Sequence, residues 1–582
     1  MISEKRYTAD VVVEKVKFIL SELTGISDIN GIKFTPGDEK GDVVFPCFVF
    51  AKSMKKNPAV ISAEICEQIK EKGLDDIFSD VKNTGGYLNF FLDMKKFNSA
   101  VVSDFVKFQD KYGSLSKGEG KTIVIDYSSP NIAKPFSVGH LRSTNIGSSL
   151  SKILRFAGYN VIGDNHLGDW GTQFGKLIYA YKNWGDPKVI EKDPIKELLN
   201  LYVRFHEEAG LNSDEHPEED NELEEKARAY FKQLEDGDPE ITKIWKWMRD
   251  ISLKDFDKVY KILNVSFEKM LGESFYNDKM EEIKEIAEEK GLLETDEDGV
   301  KLIRLDKFGI STPLLLQKKD GASLYATRDL SGILYRKRTW NPEAILYVVG
   351  EEQTLYFKQL IKAAELLGLD SNCVHIAFGL MILPAEGKFS TRKGRVIFLE
   401  DVLKDAVDRA RKMIEDRDFS EEKKQEIAQK VGIGAVKYND LSQSRVKTVG
   451  FDWDKMLSMD GNSSPYLQYS YSRAKAVLRK AEYNGDRTWN DSVELEKDEK
   501  QLLNSLSQFH YIVESSAVQY FPHIIANWLY DLARDFTSFY TNVRIVSSEE
   551  PYRQNRLILT DFYSSVIKTG LSLLGIETSE EM

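Results

Sequence analysis

Apolar positions along this chain follow two spacings, and the places where one gives way to the other divide it. Residues 41–51 (GDVVFPCFVFA) form an extended apolar run, residues 57–72 keep the 3.6-residue spacing of a helix, and residues 86–94 (GYLNFFLDM) read as a strand. With a helical start before them they predict an α+β module over residues 1–115. The charged, glycine-bearing stretch Lys117–Gly118–Glu119–Gly120 is a linker that closes it. KTIVIDY (121–127) is a short buried strand, followed by the loop SSPNIAKPFSVGH. A helix follows over 138–158, where Ile146, Leu150, Ile153, Leu154 and Ala157 recur at helical intervals and Gly158 suits the residue just past the end. YNVIGDN (159–165) is the next strand. Strand, loop, helix and strand in that order open a doubly wound, Rossmann-type α/β fold.

Residues 185–300 are charge-rich and helical, with an acidic run at 214–225, and predict a helical insertion. The α/β rhythm resumes with the strand ILYVVG (345–350), a helix over 353–368, the strand CVHIAFG (373–379), the loop KFSTRKG, VIFLE and a helix from about 401. Beyond 420 long amphipathic helices run to the end. The expected organisation is therefore multidomain α/β. An N-terminal α+β module (1–115) precedes a Rossmann-type domain (116–400) with its insertion. Connecting helices (401–454) lead to an all-helical C-terminal domain (455–582).

At 582 residues the chain is too long for one core, which agrees with several domains. No window approaches 18 uninterrupted apolar residues, and the N-terminus lacks the pattern of a secretory signal, so neither membrane insertion nor export is expected. Cys47, Cys66 and Cys373 form no CxxC pair, so no structural zinc or disulfide framework is expected and the cytoplasm is the natural compartment. A net charge of −13 weighs mildly against a nucleic-acid partner, although a local basic face can coexist with an acidic remainder. No extended heptad pattern occurs, so a monomer is the default expectation.

LSKGEGKT (115–122) mimics a phosphate-binding GxxxxGK[ST] loop, but Leu115 replaces the first glycine and the segment precedes a strand. It reads as linker. SSPNIAKPFSVGHLRST (128–144) is the stronger signal, because it leaves the first strand and enters the first helix, where open α/β sheets bind ligands. Gly139 permits close backbone approach, His140 can donate to a phosphate oxygen, and Lys134 adds a cation. In LYATRDL (324–330), Tyr325 and Asp329 are four apart and share one face of a helix, where a carboxylate and a phenol can bind a guanidinium. Spacing alone favours a plainer arrangement, with Tyr325 in the core and Asp329 paired to Arg328. The helix after Pro465 has a core stripe of Leu467, Tyr471, Ala474 and Leu478. It carries Arg473, Lys475, Arg479 and Lys480, with Tyr466 and Tyr469 able to stack on bases; for an isolated helix this is usually a solvated face. His166, His206, His216, His375, His510 and His523 show no metal-ligand spacing and receive no catalytic role.

Residues 128–144 resemble the HIGH motif of class I aminoacyl-tRNA synthetases, in the form found in arginyl-tRNA synthetases. NHLGDWGTQFG (165–175), YVVGEEQTLYFKQ (347–359), residues 451–481, WLYDLARDFTSFY (528–540) and the closing LGIETSEEM resemble the same family, so the resemblance spans nearly the whole chain. It implies an arginine–tRNA ligase that forms arginyl-adenylate from L-arginine and ATP, with Mg2+ carried on the nucleotide, and loads tRNA(Arg). It assigns Ser129, Asn131, His140, Tyr325, Asp329 and Gln353 to arginine, with Asp126 where relatives often carry Glu. Ser137, Gly139, His140, Ser390 and Arg392 fall to ATP, and His140, Lys134, Lys388 and Lys393 to catalysis. No residue is assigned to a resident metal. Tyr466, Tyr469, Arg473, Lys475 and Arg479 fall to tRNA, in an anticodon-binding C-terminal domain. Ser137 stands where the family's first motif histidine falls, and Thr391 where the second lysine of the KMSKS-like loop falls. These two departures keep a catalytically silent RNA-binding relative in view, beside a synthetase for another amino acid and a small nucleotidyltransferase.

Overall fold

The computed structural model describes residues 7–210, 222–319, 324–369, 372–382 and 397–582. Residues 388–394, the KFSTRKG loop with Lys388, Ser390, Arg392 and Lys393, lie outside them.

The N-terminal module is a four-stranded antiparallel sheet in the order Lys33–Phe34, Val43–Pro46, Tyr87–Leu92, Phe78–Thr84, with helices packed on it. Asn57 caps the Pro58–Lys72 helix by accepting from Ala59 N–H at 2.9 Å, with proline at the first helical position, where a missing N–H costs nothing. The apolar run at 41–51 is only half strand. After Pro46 it turns into a 3-10 segment, Cys47–Phe50, which buries Cys47 and Phe50 in the module's core.

The central sheet is parallel, in the order Cys373–His375, Ala344–Tyr347, Thr122–Asp126, Asn160–Asp164. The expected strand at 373–379 pairs continuously over Cys373–His375 and then only through an isolated parallel bridge between Phe378 and Gly350. The Leu141–Phe156 helix is nearly all buried, its apolar and its small polar residues alike. Gly158, at φ 97°, follows its C-terminal end. The insertion is helical through Pro194–Glu208, Glu222–Glu235 and Pro239–Ile262. It is followed by a three-stranded antiparallel sheet, Leu293–Thr295, Lys301–Ile303 and Leu314–Gln317, whose first strand lies within the stretch expected to be helical. The C-terminal part is helical as expected, built on Ser464–Lys480, Lys497–Ser507, Phe509–Gln519, His523–Asn542 and Tyr552–Leu573. None of the described helices is long and apolar enough to cross a membrane.

One charge cluster organises the sheet's C-terminal edge. Asp126 and Asp164 end neighbouring strands and stand opposite each other in the register. Two carboxylates one strand spacing apart in a dry interior repel strongly. Arg336, 2% exposed on the Tyr325–Trp340 helix, resolves this by donating to Asp126 at 2.6 Å and to Asp164 at 2.8 Å. Arg336→Ala would leave both carboxylates buried without their cation. We expect a loss of about 3–5 kcal/mol, read as a lowered midpoint of the denaturant transition; a shift equal to that of an exposed pair such as Arg338–Glu282 would remove the cluster from this role.

Candidate active site

The loop leaving the Thr122–Asp126 strand is built from strained backbone. Ser128, Ser129 and Ala133 have φ of 74°, 46° and 59°, the left-handed region that costs a residue with a side chain about 1–3 kcal/mol. Each of these three amides is met by a polar group from another element. Ser128 N–H donates to Ser143 Oγ (2.9 Å), Ser129 N–H to Asn165 Oδ1 (3.1 Å) and Ala133 N–H to Ser252 Oγ (3.0 Å). All three acceptors are buried. They come from the first helix, the end of the second strand and the insertion, so three separate parts of the chain hold one loop. Gly168 completes the clamp: its N–H donates to Pro130 O and its carbonyl accepts from Ile132 N–H, both at 3.1 Å. A Cβ at Gly168 would stand 1.8 Å from Asn131 Oδ1.

The held loop forms one side of a cleft of about 520 Å3 at the C-terminal edge of the sheet, the usual ligand position in such folds. His140 lines it. The His140 ring is oriented by residue 137: Ser137 N–H donates to His140 Nδ1 at 3.2 Å, with Ser137 Oγ at the same distance. Since an amide can only donate, Nδ1 accepts, and the neutral ring carries its proton on Nε2. Burial lowers the His140 pKa below the usual value, so the ring is a neutral donor near pH 7. Ser137 itself does not line the cleft; its role here is a helix cap.

The opposite wall is acidic. Asp329, Glu273, Tyr325 and Tyr356 all line it, and Tyr325 is 69% exposed toward it. Asp329 accepts a hydrogen bond from the Tyr356 hydroxyl. Arg328 faces Glu273 at 3.6 Å and makes no ion pair with Asp329, so the plainer reading of LYATRDL fails. Burial raises the Asp329 carboxyl pKa above the usual range, against the lowering pull of His166 and the Tyr356 hydrogen bond. Burial raises Glu273 likewise, opposed by Arg328 and His166.

Ser129, Asn131, Gly139, His140, Tyr325, Asp329, Gln353 and Asp126 are thus brought to one cleft. Asp126 arrives with both oxygens engaged, one by Arg336 and the other by Ser129 Oγ at 3.0 Å. Lys134 is not among the lining residues; its ammonium lies 5.5 Å from the Tyr202 ring centre on the insertion, and burial lowers its pKa. Glu273, Tyr356 and His166 line the cleft without having been singled out. His166, given no role from spacing, donates from Nδ1 to Leu271 O at 2.8 Å and lines the same cleft.

In the C-terminal domain the core stripe of Leu467, Tyr471, Ala474 and Leu478 is buried as expected. The basic face is less free than its sequence suggests. Lys475 pairs with Glu580 at 3.5 Å and Arg479 with Glu581 at 3.8 Å, so both carry a carboxylate partner from the closing residues. Arg473 lies between the Tyr469 and Tyr540 rings, at 4.8 and 5.1 Å from their centres, and Tyr466 bonds Thr537 at 3.2 Å.

Residues 102–453 match the family described as tRNA synthetases class I (R), catalytic domain, which sets the class of the α/β unit and its cleft. Residues 11–92 match the Arginyl tRNA synthetase N terminal domain and residues 467–582 the DALR anticodon binding domain. The arginine–tRNA ligase of Clostridium perfringens is 45% identical over 577 residues, 98% of this chain and 99% of that protein. That of Halothermothrix orenii is 43% identical over 553 residues, 95% of each. The chain belongs to the arginyl-tRNA synthetase family. The fold agrees with solved arginyl-tRNA synthetases from Plasmodium falciparum (TM-score 0.77, 24% identity, 98% of this chain and 99% of that one) and Thermus thermophilus (TM-score 0.77, 21% identity, 99% and 100%).

Gly168→Ala should displace Asn131 while leaving the sheet intact. We expect turnover in arginine-dependent ATP–pyrophosphate exchange to fall about 10²-fold, the scale of a 1 Å misplacement, with the unfolding midpoint nearly unchanged. Normal turnover would mean that Asn131 does not position substrate.

Proposed function

We propose that this chain activates L-arginine with ATP and transfers it to the terminal adenosine of tRNA(Arg). The observation that carries the reading is the pairing of an acidic, tyrosine-edged wall with a neutral histidine donor in one cleft. A guanidinium suits the wall, because it supplies the positive charge that Asp329 lacks and a planar fork of donors for carboxylate and phenol oxygens. Glu273 adds a second carboxylate. Ser129, Asn131 and Gln353 are polar partners for the α-amino and carboxylate groups. The triphosphate, being anionic, takes the end of the cleft at Gly139 and His140, away from the carboxylates.

In the first step an arginine carboxylate oxygen attacks the α-phosphorus, the bond to the β-phosphate breaks and pyrophosphate leaves. His140 Nε2–H donates to the charge gathering on the α-phosphate oxygens. Lys388, Ser390, Arg392 and Lys393 are proposed to hold the leaving pyrophosphate, and Lys134 is kept as a more distant cation. In the second step the 2′-hydroxyl of the terminal adenosine attacks the carbonyl carbon and AMP leaves. Positioning and charge stabilisation supply the catalysis, and no covalent enzyme intermediate is needed. Mg2+ is proposed to enter on the nucleotide's phosphates, the usual arrangement for a hard cation at a triphosphate. Residues 455–582 are read as the anticodon-binding unit, with Arg473 and its two tyrosines as a stacking platform for unpaired bases and Lys475 and Arg479 exchanging tail carboxylates for phosphates. A monomeric, cytoplasmic enzyme with the 1–115, 116–400, 401–454 and 455–582 division completes the proposal.

The test is exchange of pyrophosphate into ATP, driven by each amino acid in turn with tRNA present; arginine alone should support it. Asp329→Asn should weaken arginine by about 3–5 kcal/mol, as removal of one member of a buried charged pair does, with ATP affinity retained. In the wild type the guanidinium binds the ionised carboxyls, whose pKa values are raised in the empty site. Arginine affinity should therefore hold at neutral pH and fall on acidification, starting above the ordinary carboxylate range and by up to about tenfold per pH unit for each group. Affinity unchanged between pH 7 and pH 5, or near-normal arginine binding by Asp329→Asn, would remove the acidic wall from recognition.

A further inference from the structure

Phe378 forms the part of the cleft wall reached just after the Cys373–His375 strand, and it is gripped on both sides. On one side Arg445 Nη1 donates to Ala377 O at 2.5 Å; on the other Arg142 Nη1 donates to Gly379 O at 2.5 Å. The Arg142 guanidinium also lies 5.7 Å from the Phe378 ring centre. The backbone joins the same knot, since Gly379 N–H donates to Arg445 O at 2.9 Å and Phe378 O accepts from Glu351 N–H at 2.9 Å. A Cβ on Gly379 would stand 2.9 Å from the Lys447 carbonyl, so the two segments touch backbone to backbone.

Each arginine is anchored outside the Rossmann sheet. Arg142 is 1% exposed and lies two residues after His140. Its Nε donates to Asp440 Oδ1 at 2.8 Å on the Glu421–Leu441 helix, and its remaining donors reach Lys447 O at 2.9 Å and Arg445 O at 3.2 Å. Arg445 Nε donates to Tyr520 O at 3.1 Å, and its guanidinium lies 4.5 Å from the Phe521 ring centre, between two helices of the C-terminal domain. If stability alone were at stake, packed apolar residues would serve as well as a buried ion pair. What the two forks add is direction: each fixes a carbonyl beside Phe378 relative to a second element, which a single ammonium cannot do.

We propose that Arg142 and Arg445 are positioning residues for the nucleotide half of the cleft, holding the Phe378 wall against the His140 helix from anchors on the connecting and C-terminal helices. This rests on the reading that ATP takes the His140 end and arginine the carboxylate end. Neither guanidinium touches the acidic wall, so loss of the brace should act on ATP and spare arginine.

The experiment is steady-state ATP–pyrophosphate exchange by the full-length enzyme with tRNA present, varying ATP and arginine separately for wild type, Arg445→Met and Arg445→Lys. A thermal melt of each variant accompanies it. We expect Arg445→Met to raise KM for ATP about tenfold, the lower end of what loss of a charge-assisted hydrogen bond gives. KM for arginine should stay within twofold, with Arg445→Lys in between. Both constants rising together, or neither moving, would overturn the proposal and leave Arg445 a structural tie. If Arg445→Met does not fold, the same split of at least about threefold is required of Arg445→Lys, and its absence overturns the proposal equally. Failure of the underlying reading looks different: Asp329→Asn would then raise KM for ATP instead of KM for arginine.

Discussion

Asp329 is a recessed carboxylate that makes no ion pair among the described residues, and much of the cleft follows from that. Its neighbours show how unusual the state is. Asp126 and Asp164 share Arg336, and Glu273 faces Arg328. Among the described residues Asp329 has the Tyr356 hydroxyl as its one hydrogen-bond donor. Desolvating a carboxylate without a counter-ion costs several kcal/mol, and burial raises the Asp329 carboxyl in the direction that cost requires. A cationic ligand with forked donors relieves it. On the proposed reading cleft charge and substrate charge are one constraint, which puts the triphosphate at the end where His140 is a neutral donor.

The same economy explains the loop between the first strand and the first helix. Three left-handed residues with side chains are unstable on their own, and Ser143, Asn165 and Ser252 hold them from three parts of the chain. The insertion thus has a structural part in the cleft, through Ser252 and through Glu273 just beyond its helices. Two positions that depart from the family pattern sit in the same framework. At position 137 the backbone amide fixes the His140 tautomer, as any residue but proline would, and the serine adds its Oγ at 3.2 Å from Nδ1; Asp126 is bound by Arg336 and Ser129.

What could be seen in the sequence was local. The 3.6-residue spacing of Ile146, Leu150, Ile153 and Leu154 gave the first helix, and the four-residue step from Tyr325 to Asp329 put both on one wall. Spacing alone pointed to a pairing of Asp329 with Arg328, which instead faces Glu273; the assignment of Tyr325 and Asp329 to a guanidinium came from the resemblance to the family. Contacts between distant positions were invisible. Nothing near Glu273 marks it as a partner of residue 329, and no pattern predicts that Arg336 joins two strand ends or that Glu580 and Glu581 fold back on Lys475 and Arg479. Lys134 shows how far local sequence reaches. Its neighbourhood points to the phosphate site, while its ammonium lies over the Tyr202 ring after the left-handed Ala133, away from the described cleft lining. The run at 41–51 was misjudged because apolar content alone does not distinguish a strand from a buried 3-10 turn.

The central claim is that the acidic wall reads positive charge. Calorimetric titration of the wild-type enzyme with arginine and with citrulline, in the presence of tRNA and without ATP so that no turnover occurs, tests it most directly. The two ligands differ at the end of the side chain, where citrulline carries a neutral urea in place of the guanidinium. The account predicts that arginine binds and that citrulline binds more weakly by roughly 10⁴-fold, the discrimination expected when buried polar groups lose their partner. Citrulline binding within about tenfold of arginine would show that shape, not charge, selects the substrate, and would contradict the account.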